Sequence, residues 1–268
     1  VDLTLNTKIK KALVGDILAE NLGGKLMVKN GVAILEQMGF TCDAANMQLT
    51  AMYRSDRKNH LFAGLDFHLL NIDIKQLIDM IPDIDTIVPM LKSFEGRAEF
   101  HLAAETYMKS NYDLKMSTLR GAAAIEGKDL VLLDSETFAK IAKPLMFNRK
   151  TRNLVDSISV EATLFRNEVD LYPFVMSMDK YSAVVGGRYD LNQNYNAHIE
   201  TLSPIRLALR ITGNASNLDD MNFDLVKTKY GDMYKPEKRN ALQERTLALK
   251  KLISDALKAS VKDTSENE

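Results

Sequence analysis

Residues able to make or break bonds are few in this chain and far apart. There are four histidines, His60, His68, His101 and His198, and one cysteine, Cys42. The histidines form no HExxH run and no cluster with the cysteine, so zinc-site spacing is missing. His68, His101 and His198 each fall in an alternating stretch among polar or charged residues, which predicts satisfied or solvated strand histidines. Asp83 and Asp85, in "DIDTIV", have the DxD spacing that could hold a metal with a sugar-phosphate donor. Beside Pro82 the same carboxylates suit the first turn of a helix, where the dipole favours negative charge, and that role is expected. Gly186 and Gly187 in "VVGGRYD" lack the spacing of a dinucleotide loop and predict a bulge or sharp bend. No serine sits in a GxSxG elbow. The expectation is a protein that is not an enzyme, with no catalytic residue, no cofactor and no metal.

What the sequence has in abundance is alternation. In "GRYDLNQNYNAHIE", Tyr189, Leu191, Tyr195, Ala197 and Ile199 share one parity. Arg188, Asp190, Asn192, Asn194, Asn196, His198 and Glu200 share the other. A strand turns successive side chains to opposite faces, so this stretch reads as a strand with one apolar and one wet face. The same pattern runs through "LTLNTKI", "ANMQLTAMYR", "LFAGLDFHLLNIDI", "RAEFHLAAETY", "PIRLALRITGN" and "MNFDLVKTKY". "GKLMVKNGVAILEQM" predicts a hairpin turning at Asn30-Gly31. "GAAAIEGKDLVLLD" echoes it, with a turn expected at Gly127, and further turns are expected near Asn167 and Asp179-Lys180.

Helical spacing interrupts the strands in two places. One stretch, near 75–93, carries Leu77, Ile78, Ile81, Ile84, Ile87, Val88 and Leu91, and should break at Pro82 and Pro89. The other, near 135–148, has Ser135 as expected N-cap and Phe138, Ile141, Ala142 and Leu145 as its stripe. From Pro236 the chain changes character. Leu242, Leu249, Ile253 and Leu257 form a stripe over 236–262, with Lys and Arg around it, and 263–268 is expected to be disordered. Such a basic face could touch anionic headgroups or simply be solvated over a packed stripe, and the packed stripe is expected. No clean linker divides the chain. Its 268 residues, 46% hydrophobic and 26% charged with a net charge of −1, are ordinary for a folded protein and give no sign of a nucleic-acid partner. A single cysteine forms no internal disulfide and is neutral on compartment. The fold class expected is mainly β with a few helices (α+β). It would be a large curved antiparallel sheet over 1–230, forming an open groove or partial barrel, with helices covering it and an amphipathic helix at the C-terminus.

Three stretches resemble the AsmA-like C-terminal region. They are "LKMSTLRGAAAIEGKDLVLLD", "AVVGGRYDLNQNYNAHI" and "GGKLMVKNGVAIL", and with their order they cover most of 3–230. The family, grouped with TamB and the bridge-like lipid transfer proteins, is anchored in the inner membrane of Gram-negative bacteria. It projects a taco-folded sheet with an apolar inner face into the periplasm. The resemblance implies a periplasmic segment of such a protein, lacking its anchor and amino-terminal part, involved in outer-membrane biogenesis and binding or conducting phospholipid or another envelope lipid. Parity then nominates an acyl-chain lining: Leu65, Phe67 and Leu69; Phe100 and Leu102; Leu114 and Met116; Ile158, Val160 and Leu164; Leu207 and Leu209; Met221, Phe223 and Leu225. The alternative is a sealed, non-catalytic scaffold that meets the membrane surface or envelope assembly proteins through an edge strand or the basic helix. An enzyme using Asp83, Asp85 and a histidine is the third reading.

Overall fold

The computed structural model of the protein describes all residues except 1, 15–16, 82–90, 134–135, 149, 191, 230–240 and 266–268. Alternation becomes strand nearly wherever it occurs. In chain order the strands are β1 (Leu3–Val14), β2 (Ile17–Lys29), β3 (Val32–Thr41), β4 (Asn46–Arg57), β5 (His60–Asp73), β6 (Phe94–Met108) and β7 (Arg120–Leu133). They continue as β8 (Arg152–Val155), β9 (Ile158–Phe165), β10 (Glu168–Met178), β11 (Tyr181–Asp190), β12 (Asn194–Ser203), β13 (Ala208–Asn214) and β14 (Asn217–Leu225). Helices are α1 (Ile74–Met80), α2 (Glu136–Ala142) and α3 (Ala241–Ser265).

All fourteen strands belong to one antiparallel sheet in which sequence neighbours are spatial neighbours. The apparent exception is one broken lane. β8 pairs with the end of β7 at Leu130–Leu133, β9 with its start at Arg120–Gly127, and both reach β10. The hairpin at Asn30-Gly31 forms as expected, with φ of 50° and 75°, the left-handed pair of a type I′ turn. The turns at Asn167 and at Asp179-Lys180 also form, closing Phe165 against Glu168 and Met178 against Tyr181. A sheet wider than about ten strands must curl, split or flatten. Register shifts between Leu35 and Met38, Leu69 and Ile72, and Glu95 and Arg97 supply bends, because a bulge kinks its strand and adds twist. Each holds a residue at positive φ: Gln37, Asn71 and Gly96. β1 and β14 lie at the two ends of the strand order, so the sheet is open.

Direct cross-strand partners share a face, so the register divides the side chains into an apolar and a polar face. α1 begins where Asp73 accepts a hydrogen bond from the Gln76 amide at 3.0 Å. Its Leu77 packs on the apolar face against Leu69, Ile72, Ala98 and Phe100. α2 and the turn after it cover the same face farther along, Phe138 and Ala142 against Leu130 and Val155, Ile141 and Leu145 against Ile199, Leu209 and Ile211.

The C-terminal helix forms as expected and lies apart from the other two, which cover the apolar face. α3 crosses the opposite one, where its Leu249 and Ile253 bury Ile34, Met52 and Phe62. The physical reason is an apolar island on the otherwise polar face. Gly64 makes room for the helix, since a Cβ there would lie 2.8 Å from Leu249 Cδ1. Arg245 pairs with Glu105 at 3.1 Å to fix one end. Burying two such side chains contributes about 1.5–3 kcal/mol each, so the leucine stripe is a packing stripe. α3 also runs on to Ser265, into the stretch expected to be disordered.

Several expectations need correction. Gly127 makes no turn. β7 passes through it unbroken, and its place is explained by packing instead, a Cβ there meeting Leu130 Cδ1 at 2.5 Å. "GRYDLNQNYNAHIE" is a hairpin rather than one strand, because Asp190 accepts the amides of Asn192 and Asn194 and ends β11. Leu114 and Met116 precede β7 in an irregular loop, Leu114 in an isolated bridge to Met108 and Met116 opening a 3-10 turn. The stretch 75–93 yields α1 and a 3-10 turn at Leu91–Ser93. Asp83, Asp85, Pro82, Pro89, Ser135 and Pro236 lie outside the described residues.

Candidate functional site: an apolar face left partly open

The apolar face is continuous across the sheet. Leu49, Phe67, Leu102, Ala123, Ala162, Leu171, Gly187, Ala197, Ile211 and Phe223 are successive direct partners from β4 to β14. One pleat away, Leu5, Leu26, Leu35, Ala51, Leu65, Ala104, Gly121 and Leu164 do the same from β1 to β9. The adjacent row on the other face reads Thr50, Asp66, Ala103, Ala122, Thr163, Asp170, Arg188, Asn196, Thr212 and Asn222. Neither apolar row contains a charged or hydrogen-bonding side chain.

Among the described residues, α1 and α2 cover only part of this face. Beyond α1, towards the opposite ends of β2 to β7, a trough of about 440 Å³ remains, floored by Leu26, Leu35, Ala51, Leu65 and Ala104. That volume lies within the ~300–1,000 Å³ of small-molecule sites. Its wall is the loop carrying Leu114 and Leu119. This loop is held by the Thr118 hydroxyl, which accepts the Tyr107 amide at 3.0 Å and donates to the Lys115 carbonyl at 2.7 Å. The apolar row runs on from the trough to the β1 edge, where Leu3 and Leu5 are half exposed.

The nominated lining residues separate into two groups. Leu65, Phe67, Leu102, Leu164 and Leu114 stand on the open part of the face or its wall, partly or well exposed. Phe67 and Phe100 meet edge to face at 6.2 Å between ring centres. Leu69 and Phe100 border α1, and Ile158 packs into the cluster beneath α1 and α2. Val160 and Leu209 are buried, and Leu209 with Met221 and Phe223 belongs to the core beneath α2. Leu225 is 75% exposed at the far edge. Leu207 precedes β13, its amide donating to the Thr201 hydroxyl at 2.8 Å, and Met116 sits half-buried in its 3-10 turn. The strand parities chosen from sequence all fall on this one face. Missed were Leu26, Leu35, Ala51 and Ala104. A signal for the first two existed, since counting back from the Asn30-Gly31 turn sets Leu26 opposite Leu35.

The polar face carries the ionisable groups. Arg188 pairs with Asp170 at 2.6 Å and Arg210 with Asp224 at 2.7 Å across strands. Glu200 is fully buried, accepts the Lys229 amide at 2.7 Å, and lies 3.7 Å from His198 Nε2. Burial holds the His198 imidazole below its ordinary pKa, against the upward pull of Glu200 and with the charge of Lys229 adding to the fall. The unfolded chain therefore binds this proton more readily than the folded one. The contribution is fully present above about pH 6.5 and is lost as pH falls below it. Wild type should lose more stability between pH 7.5 and 5.5 than His198→Gln does, measured as the shift in urea midpoint. Equal losses would remove His198 from the account.

A scan against protein-family models finds no match to this chain, and neither does a search of curated proteins. No helix among the described residues is long and apolar enough to cross a membrane, which leaves β-barrel crossing unaddressed.

Proposed function

We propose that this chain is a lipid-handling segment of the AsmA-like kind, which binds or conducts phospholipid by laying acyl chains along the apolar face of its sheet. The observation that carries the reading is the pair of unbroken apolar rows opening into a trough that no described residue covers. Acyl chains ask for continuous apolar lining and no polar specificity, and each methylene removed from water is worth about 0.8 kcal/mol. An ordinary core would have closed the face with side chains; here alanines at 51 and 104 keep the floor low beside Leu65. The chemistry needed is none, which accords with two rows free of charged side chains. A periplasmic setting and a part in outer-membrane biogenesis belong to the same proposal and rest on the sequence resemblance.

The test is native mass spectrometry with lipid extraction on protein purified from an envelope fraction. Phospholipid should co-purify, and should be lost when Phe67→Asp and Phe100→Asp are introduced together into protein that circular dichroism shows is still folded. Lipid-free protein that also refuses added phospholipid would overturn the reading in favour of a sealed scaffold for envelope assembly.

A further inference from the structure

We propose that His68 and His101 form a two-nitrogen chelate for a late first-row divalent cation, with Cu²⁺ the best fit. The inference is independent of the lipid reading, because both residues stand on the opposite face. They are direct partners on β5 and β6, and their Nδ1 atoms converge to 2.8 Å. The other nitrogen of each ring points at a carboxylate. His68 Nε2 is 3.1 Å from Asp66 and His101 Nε2 is 3.7 Å from Glu99.

A carboxylate behind an imidazole favours the tautomer with hydrogen on the nitrogen facing it and leaves the other nitrogen bare. Applied to His68, this leaves Nδ1 bare as an acceptor, and His101, whose Nε2 is too far from Glu99 to be held by it, can place one hydrogen between the two Nδ1 atoms in the 2.8 Å contact. The pair thus shares one hydrogen at a point where a metal ion could take its place. A metal ion there would keep Asp66 behind His68, and a carboxylate–histidine–metal relay is the usual outer-shell arrangement of a metal-bound histidine.

The bite selects the ion. With metal–nitrogen bonds of about 2.0–2.1 Å, a right-angle bite spans about 2.9 Å and a tetrahedral one about 3.3 Å. The 2.8 Å contact need open only slightly to reach the right-angle bite of tetragonal Cu²⁺ or Ni²⁺, and copper stands highest in the affinity order. Solvent reaches the pair, with side chains 29% and 20% exposed, whereas the supporting Asp66 carboxylate is 9% exposed. Next in the row beyond His101 stands only Ala124, which leaves space above the sheet. Lys250 of α3 lines the same hollow as Asp66 and His68. Among the described residues no three His, Cys, Asp or Glu converge as a ligand set, so water or an incoming ligand completes the coordination.

The test titrates the full chain with Cu²⁺ alone, by calorimetry and electron paramagnetic resonance. One equivalent should bind with a tetragonal spectrum showing two nitrogen ligands. His68→Gln and His101→Gln should each weaken binding at least tenfold, and Asp66→Asn about tenfold, as expected for an outer-shell partner. Affinity unchanged in either histidine variant would overturn the proposal and assign the copper to another histidine. Should a variant not fold, wild type still decides. Bound Cu²⁺ should protect His68 and His101, and not His60, from diethyl pyrocarbonate in peptide mass mapping. Equal labelling with and without copper overturns the chelate.

Discussion

Phenylalanine at both Ala51 and Ala104 is expected to weaken acyl-chain binding at least tenfold while leaving the thermal midpoint of the protein nearly unchanged. The two alanines flank Leu65 in one cross-strand row and point into the trough. Enlarging a residue inside a filled core forces off-rotamer side chains and costs about 1–3 kcal/mol. Enlarging one that faces open volume has no such cost, and aromatic residues suit a strand. The added rings would take the space an acyl chain needs. Losing contact with only two methylenes, at about 0.8 kcal/mol each, already corresponds to a tenfold change in affinity. The measurement is displacement of a fluorescent fatty-acyl probe from wild type and the double variant, with calorimetry on both. Undiminished probe binding would mean that acyl chains do not use the trough. A large fall in midpoint would mean that the trough is already occupied by the protein's own packing.

Much of this face was legible in the sequence because strand periodicity is a local property. Leu65, Phe67, Leu102 and Leu164 needed only a parity count to be set on one face. The hairpin at Asn30-Gly31 was equally local, since few sequences other than Asn-Gly favour two successive left-handed residues. What could not be read depends on contacts distant in sequence. Nothing in the stripe of α3 says which face of the sheet it will cover. That is decided by Met52, Phe62 and the missing side chain of Gly64, nearly two hundred residues earlier in the chain. Gly127 looked like a turn because glycine is the commonest turn signal, yet here it serves close packing against Leu130 and Ile158. The pairing of His68 with His101 needed the β5–β6 register, which the intervening helix and loop hide from any count along the chain. Parity, finally, names a face but not the cover over it.

That last gap sets up the second large effect, a contrast between two leucines of the same face. Leu209→Ala should cost about 2–5 kcal/mol, the range for a leucine removed from a packed core, and leave lipid uptake nearly untouched. Leu209 is 2% exposed and enclosed by Leu145, Ile199 and Ile211 beneath the segment following α2, so truncation leaves a cavity that its neighbours cannot close. For a chain of this size the thermal midpoint should drop by roughly 5–15 °C. Leu65→Ala should behave in the opposite way. Its side chain already borders open volume, so little new cavity forms and the midpoint should move only a few degrees. Acyl-probe affinity should fall several-fold, because the lost methyl groups are floor of the trough. Thermal melts and probe titrations on the two variants place each residue on two axes. If Leu65→Ala proves as destabilising as Leu209→Ala, the trough is core, and the open-face reading fails with it. If the two effects cross as argued, the same apolar face is doing two jobs along its length: beneath α2 it holds the fold together, and beyond α1 it waits for a hydrophobic chain from elsewhere.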